Sequence, residues 1–131
     1  MIWVAQGAPF EVQAQDVVRE STRLGELYVS PASAWEIGLL GRPRRSGAPG
    51  PQFLPDPQAW FAAFMARPGV RLAALTPEIA IDVSYLPGDF HNDPADRMIV
   101  ATARRLGAAV VTRDQKILDY ARAGHVAAVA C

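Results

Sequence analysis

Cysteine is almost absent from this 131-residue chain: Cys131, the last residue, is the only one. One terminal thiol forms no internal disulfide and has no second thiolate with which to share a metal, so the sequence implies a reducing compartment. Histidine is nearly as scarce, with two in the chain. No His/Cys ligand set of the kind that binds zinc is present. Excess charge of either sign is lacking as well, because 13 basic and 13 acidic side chains cancel. A neutral chain has no global field to attract nucleic acid, so contact with a polyanion must come from local arginine clusters. No apolar run approaches a membrane span, and the start MIWVAQGAPF has neither a cationic region nor a long apolar one. These absences imply a cytoplasmic protein. Lys116 is the single lysine among many arginines, a bias that coding composition explains before function does.

What is present is the material of one ordinary domain. Half the residues are hydrophobic and 20% are charged, the balance of a globular protein with a real core. Glu11 to Arg23 mixes polar and apolar residues at helical spacing, and Gly25 ends it. ELYV, Glu26 to Val29, reads as a short strand. Ser30-Pro31 then starts a helix to about Leu40, the hydroxyl capping amides and the proline preset for the first turn. GRPRRSGAPGPQFLP is a loop, since glycine and proline break both regular structures. Asp56-Pro57 opens a second such helix, ended by Pro68-Gly69. Val70 to Leu75 alternates as a strand, and Thr76-Pro77 starts the next helix. Asp93-Pro94 opens a helix to Leu106 with Gly107 as terminator. AAVVT, Ala108 to Thr112, is a strand, a helix follows from Asp114 to about Ala123, and Val126 to Val129 reads as an edge strand. Strands alternating with helices predict an α/β fold: a parallel sheet joined by right-handed crossovers, with helices on both faces.

Ligands of open parallel sheets bind at the carboxyl ends of the strands, and three acids fall there: Glu36 after ELYV, Asp96 in the first turn of DPADRMIVATARRLG, and Asp114 directly after AAVVT. Asp96 shares a face with Ile99, Val100 and Ala103, which turns it toward the sheet. Carboxylates gathered from separate elements repel unless a cation lies between them, and hard oxygen donors suit magnesium or manganese. Such a site serves phosphate chemistry. Each acid also has a plainer reading. Asp93 before Pro94 is most simply an N-cap, Asp96 complements a helix dipole, and Asp114 caps the last helix. Glu36, well inside its helix, has no such alternative.

ELYVSPASAWEIGLL, HNDPADRMIVATARRLG and VVTRDQKILDY resemble the strand and Trp-Glu-Ile helix, the His-x-Asp-Pro-x-Asp-Arg helix and the Thr-Arg-Asp motif of PIN-domain ribonucleases, specifically the VapC toxins of toxin-antitoxin pairs. With VRLAALTPEIA and YLPGDF the match runs from about Glu26 to Tyr120. The resemblance implies a PIN-like three-layer sandwich over residues 1–131 and a Mg²⁺ (or Mn²⁺) site of Glu36, Asp96 and Asp114. It also implies Asp93 as an auxiliary acid or cap, and Thr112 and Ser30 as supporting hydrogen-bonders. The implied activity is hydrolysis of RNA phosphodiester bonds. The implied partners are RNA, a cognate antitoxin and a second copy of the chain. One departure stands out: family members begin with a strand ending in Asp-Thr-His, whereas Met1-Ile2-Trp3 resembles only the segment after that strand. The first acid has no counterpart. The expectations are a start codon assigned too late or a decayed relative, with ELYV and AAVV lacking the strand between them. The second of these makes the chain a non-catalytic module that binds antitoxin or dimerises.

Other residues read more plainly. His91 is a local hydrogen-bonder before it is a ligand for RNA or metal, and His125 has no assignment. Arg42, Arg44 and Arg45 belong to a solvated loop, although guanidinium groups suit phosphate. Trp60, Phe61 and Phe64, at helical spacing without interleaved basic residues, are core or interface packing. Arg97 either holds the carboxylate of Asp96 or approaches substrate.

Overall fold

The computed structural model of the chain describes residues 11–43 and 50–131. Arg44, Arg45 and the departure at Met1-Ile2-Trp3 lie outside the described residues. Helix α1 spans Val12–Leu24 and ends where Gly25, at φ 71°, turns its amide back to the carbonyls of Ser21 and Thr22. Strand β1 comes next at Leu27–Val29 and leads into α2, Pro31–Leu40, where Ser30 Oγ accepts from the Ala32 amide. Helix α3, Pro57–Met65, is capped by the Asp56 carboxylate. Gly69 makes the next turn at φ 80°, and a Cβ there would stand 1.9 Å from the Thr22 carbonyl oxygen. Only glycine lets the backbone pass so close to α1 on its way into β2, Val70–Leu72.

The pattern VRLAAL is therefore strand only in its first half, although the Ala73 amide still donates to the Val29 carbonyl and extends the ladder by one bond. Thr76 caps α4, Pro77–Asp82, which tightens into a 3₁₀ turn at Val83–Tyr85. Asp93 caps α5, Pro94–Leu106, and Gly107 ends it at φ 63°. Strand β3, Ala109–Thr112, helix α6, Gln115–Arg122, and strand β4, Ala127–Ala130, complete the order.

Four of these helices start at a Ser, Thr or Asp cap followed by proline. The sequence placed those starts to the residue because the cap and the ring constraint act locally.

The strands pair in parallel, β1 with β2 (Leu27 opposite Val70) and β3 with β4 (Ala109 opposite Ala127). The single continuous sheet expected from the alternation is, among the described residues, two two-stranded sheets with no ladder joining them. Each strand thus has one partner, and the edges that ELYV and AAVV would turn toward an intervening strand are unpaired among the described residues. Packing of helices holds the two pairs in one body: α2 lies against α5, α5 against β3, and α1 against both β1 and β4.

The main core lies under α5 and α6, where Phe90, Val100, Ala103, Val110, Ile117 and Tyr120 pack together. The Tyr120 hydroxyl donates to the Pro87 carbonyl at 2.5 Å, so the polar end of a buried ring is satisfied. On the other side, Trp60 stacks on Phe64 at 6.1 Å and meets Phe53 edge-on at 5.1 Å. Phe64 is buried while Trp60 and Phe61 are half-buried, consistent with packing rather than a base-stacking platform. No helix among the described residues is long and apolar enough to cross a membrane.

Candidate active site

Helix α5 crosses α2 so that its first turn, carrying Asp96, comes into electrostatic range of Glu36. Strand β3 ends beside the same turn and delivers Asp114. The three acids picked out from the sequence, carried by three elements, therefore lie within electrostatic range of one another, as does Asp93. The surroundings of Glu36 and Asp96 disfavour ionisation. Burial raises the Glu36 carboxyl above its ordinary value, and the charges of Asp96, Asp93 and Asp114 raise it further. Burial likewise raises Asp96, assisted by Asp93 and Asp114, while His91 and Lys116 act in the opposite direction.

Two of the four carboxylates are anchored by backbone. Asp93 Oδ1 accepts from the amides of Ala95 at 2.9 Å and Asp96 at 3.3 Å. Asp114 Oδ1 accepts from Lys116 at 2.8 Å and Ile117 at 3.3 Å. The cap readings of both residues hold as geometry, and a cap still leaves the second oxygen of each carboxylate available to a ligand. Thr112 Oγ1 accepts from the Asp114 amide at 3.0 Å, orienting the turn that carries the acid. Ser30 acts one step further away, through the start of α2.

Arg97 does not hold the Asp96 carboxylate; its donors go to backbone carbonyls instead. Its Nε donates to the Val83 carbonyl at 3.0 Å and its Nη1 to the carbonyls of Phe90 (2.9 Å) and His91 (3.3 Å). The guanidinium thus ties the 3₁₀ turn and the 90–91 loop to the head of α5. No local motif distinguishes such an arginine from one that meets a carboxylate, because its partners are backbone carbonyls of a loop whose path the sequence does not reveal.

His91 is the residue the sequence undervalued. It is a local hydrogen-bonder as expected, its Nδ1 accepting from the Asp93 amide at 3.3 Å. Its Nε2 also lies 3.4 Å from Asp96 Oδ2, with both side chains about four-fifths buried. The signal was the spacing in HNDPAD, which puts an imidazole two residues before a cap and five before a second acid. Lys116, noted only for its rarity, also stands close enough to favour the Asp96 carboxylate. His125 is structural, its ring against Tyr120 at 4.6 Å.

Does this donor set suit a divalent cation? All four acids offer hard oxygens; burial first and then mutual repulsion raise Glu36 and Asp96, and a cation among them removes the repulsive part of that cost. The chemistry of the donors fits. Among the described residues no three His, Cys, Asp or Glu side chains are gathered tightly enough to hold an ion as they stand, so the coordination sphere is not preassembled there.

The chain is similar to ribonuclease VapC22 of Mycobacterium tuberculosis (strain ATCC 25618 / H37Rv), with 29% identity over 118 residues, covering 90% of this chain and 83% of that protein. No solved structure matches it. The PIN domain pattern matches residues 1–123, a span that takes in Glu36, Asp93, Asp96 and Asp114 together with the parallel strands that deliver them; the chain belongs to the PIN-domain family.

Proposed function

We propose that the protein is a divalent-metal-dependent endoribonuclease and the toxin of a toxin-antitoxin pair. Glu36, Asp96 and Asp114 would hold Mg²⁺ or Mn²⁺. The observation that carries this reading is that Glu36 on α2, Asp96 at the head of α5 and Asp114 at the end of β3 lie within electrostatic range of one another, in a family member similar to a ribonuclease.

The protein's own part is positional. Asp114 and Asp93 are fixed by their caps, and α2, packed against α5, carries Glu36. Partial burial keeps bulk water from screening the acids, so their charge acts at close range on whatever binds there. A bound divalent cation supplies Lewis-acid polarisation of a phosphoryl oxygen and a water of lowered pKa. Thr112, Ser30 and Arg97 maintain the turns from which the acids project.

The partners proposed are RNA, a cognate antitoxin and a second copy of the chain, in the cytoplasm. Exposed apolar side chains support a protein partner: Trp35 and Leu39 lie one turn apart on α2 at 47% and 41% exposure, and large exposed apolar groups on a folded domain mark association surfaces.

The test is cleavage of purified RNA by the chain with Mg²⁺ or Mn²⁺, stopped by chelator and by the co-expressed antitoxin. Binding of antitoxin without cleavage under any divalent cation would overturn the enzymatic reading and leave a non-catalytic binding module.

A further inference from the structure

The ring of His91 is held on two sides before it reaches any ligand, and its backbone is tied on a third. Its Nδ1 accepts the Asp93 amide, the ring packs tilted against Phe90 with centroids 4.3 Å apart, and the backbone carbonyl of His91 accepts from Arg97. An Nδ1 that accepts must carry a lone pair, so the ring proton resides on Nε2. That Nε2 is buried, has no hydrogen-bond partner within ordinary geometry, and faces Asp96 Oδ2 at 3.4 Å. A buried donor without a partner is costly, and the Asp96 carboxylate it faces stands a few tenths of an ångström beyond a good N–H···O bond.

We propose that His91 is a positioning residue for Asp96, its Nε2–H closing onto Oδ2 and so holding the other carboxylate oxygen toward the cleft shared with Glu36 and Asp114. The inference rests on the reading of Asp96 as a cation-holding acid. Outer partners of this kind orient a ligand and commonly change metal affinity by about 10- to 100-fold when removed. The donation is a property of a fixed tautomer. The residue that caps α5 also selects it, since the backbone amide of Asp93 donates to Nδ1 while its carboxylate accepts from the first turn of the helix. Folding of the helix start and orientation of the acid are thereby linked through one imidazole.

Two near-isosteres separate the two nitrogens. Asparagine at position 91 can accept the Asp93 amide as Nδ1 does but is too short to reach Asp96, whereas glutamine can place an N–H near the position of Nε2. The experiment measures Mn²⁺ binding by the loss of the free-ion electron paramagnetic resonance signal, for the wild type, His91→Asn, His91→Gln and Asp96→Asn. Thermal melting checks that each is folded, and the ring nitrogens of the metal-free wild type are assigned by long-range ¹H–¹⁵N correlation. Expected are an Nε2–H tautomer, Mn²⁺ affinity about tenfold or more weaker in His91→Asn, and a loss of less than about threefold in His91→Gln. An Nδ1–H tautomer would overturn the proposal, as would wild-type affinity in a folded His91→Asn or equal losses in the two variants. Weakened binding in Asp96→Asn with unchanged binding in His91→Asn would reject the role of His91 alone. Unchanged binding in Asp96→Asn, or none in the wild type, would reject both that role and the metal site on which it rests.

Discussion

Replacing Glu36 by glutamine should separate the cost of this site from its use. The carboxyl of Glu36 is raised by burial first and by the charges of Asp96, Asp93 and Asp114 next, so in the metal-free protein its ionised form opposes folding. Proton linkage sets the sign. Between the ordinary value of 4.5 and the raised one, the folded state binds more protons than the unfolded state, and stability falls as pH rises through that window. Above it the penalty is fully present. Glutamine keeps the shape and removes the charge, so metal-free Glu36→Gln should be more stable than wild type at pH 7. Single stabilising substitutions of this sort contribute about 0.5–2 kcal/mol, and the partial exposure of the site argues for the lower half of that range. At about 4 °C per kcal/mol for a domain of this size, the melting temperature should rise by about 2–4 °C. The advantage should shrink as pH is lowered through the raised value, because the wild-type group then protonates by itself. Cleavage should move oppositely. Loss of a direct metal ligand should exceed the effect of losing an outer partner, giving a rate reduction of more than about 100-fold, or roughly 2.7 kcal/mol of transition-state stabilisation. Scanning calorimetry with chelator at two pH values and RNA cleavage with saturating Mg²⁺ measure the two halves. A variant that is less stable without metal at pH 7, or that cleaves at the wild-type rate, would refute the reasoning.

Other outcomes rest on the same geometry. Asp114→Asn should lose cleavage while melting within about 2 °C of wild type, because asparagine caps α6 nearly as well. Asp93→Asn should be milder in cleavage, and equal damage from the two would show that Asp93 does more than cap α5. RNA cleavage and Mn²⁺ binding should both decline at a higher pH than ordinary carboxylates would cause, since Glu36 and Asp96 are raised and protonation competes with the cation; a pH profile that falls only below the usual carboxylate range would contradict the observed environment. Arg97→Ala should destabilise by about 2–4 kcal/mol, from lost charged hydrogen bonds to Val83, Phe90 and His91, and wild-type melting would show those carbonyls to be satisfied otherwise.

The helix starts were legible in the sequence because Ser30-Pro31, Asp56-Pro57, Thr76-Pro77 and Asp93-Pro94 act over three or four residues, within reach of their own backbone. That Glu36 and Asp114 lie past the ends of β1 and β3 was legible too, because each follows a strand that opens toward the carboxyl edge of a parallel pair; Asp96, on a helix that follows a 3₁₀ turn and a loop, owes its place to packing. Tertiary structure alone decided the rest. VRLAAL alternates through Leu75, yet the strand stops at Leu72 because ladder length depends on what the partner strand β1 offers, and β1 ends at Val29. Which strands pair, β1 with β2 and β3 with β4 among the described residues, is likewise a matter of long-range contact that no local pattern encodes. Arg97 illustrates the limit most directly. Its position beside Asp96 in sequence suggested a carboxylate, but consecutive residues of a helix diverge by about 100°, and the carbonyls it meets belong to a loop and a 3₁₀ turn brought there by the fold. For His91 the sequence supplied the contact two residues away and only the packing of α5 supplied the one five residues away, since the first is set by backbone geometry and the second by where a buried ring is allowed to lie.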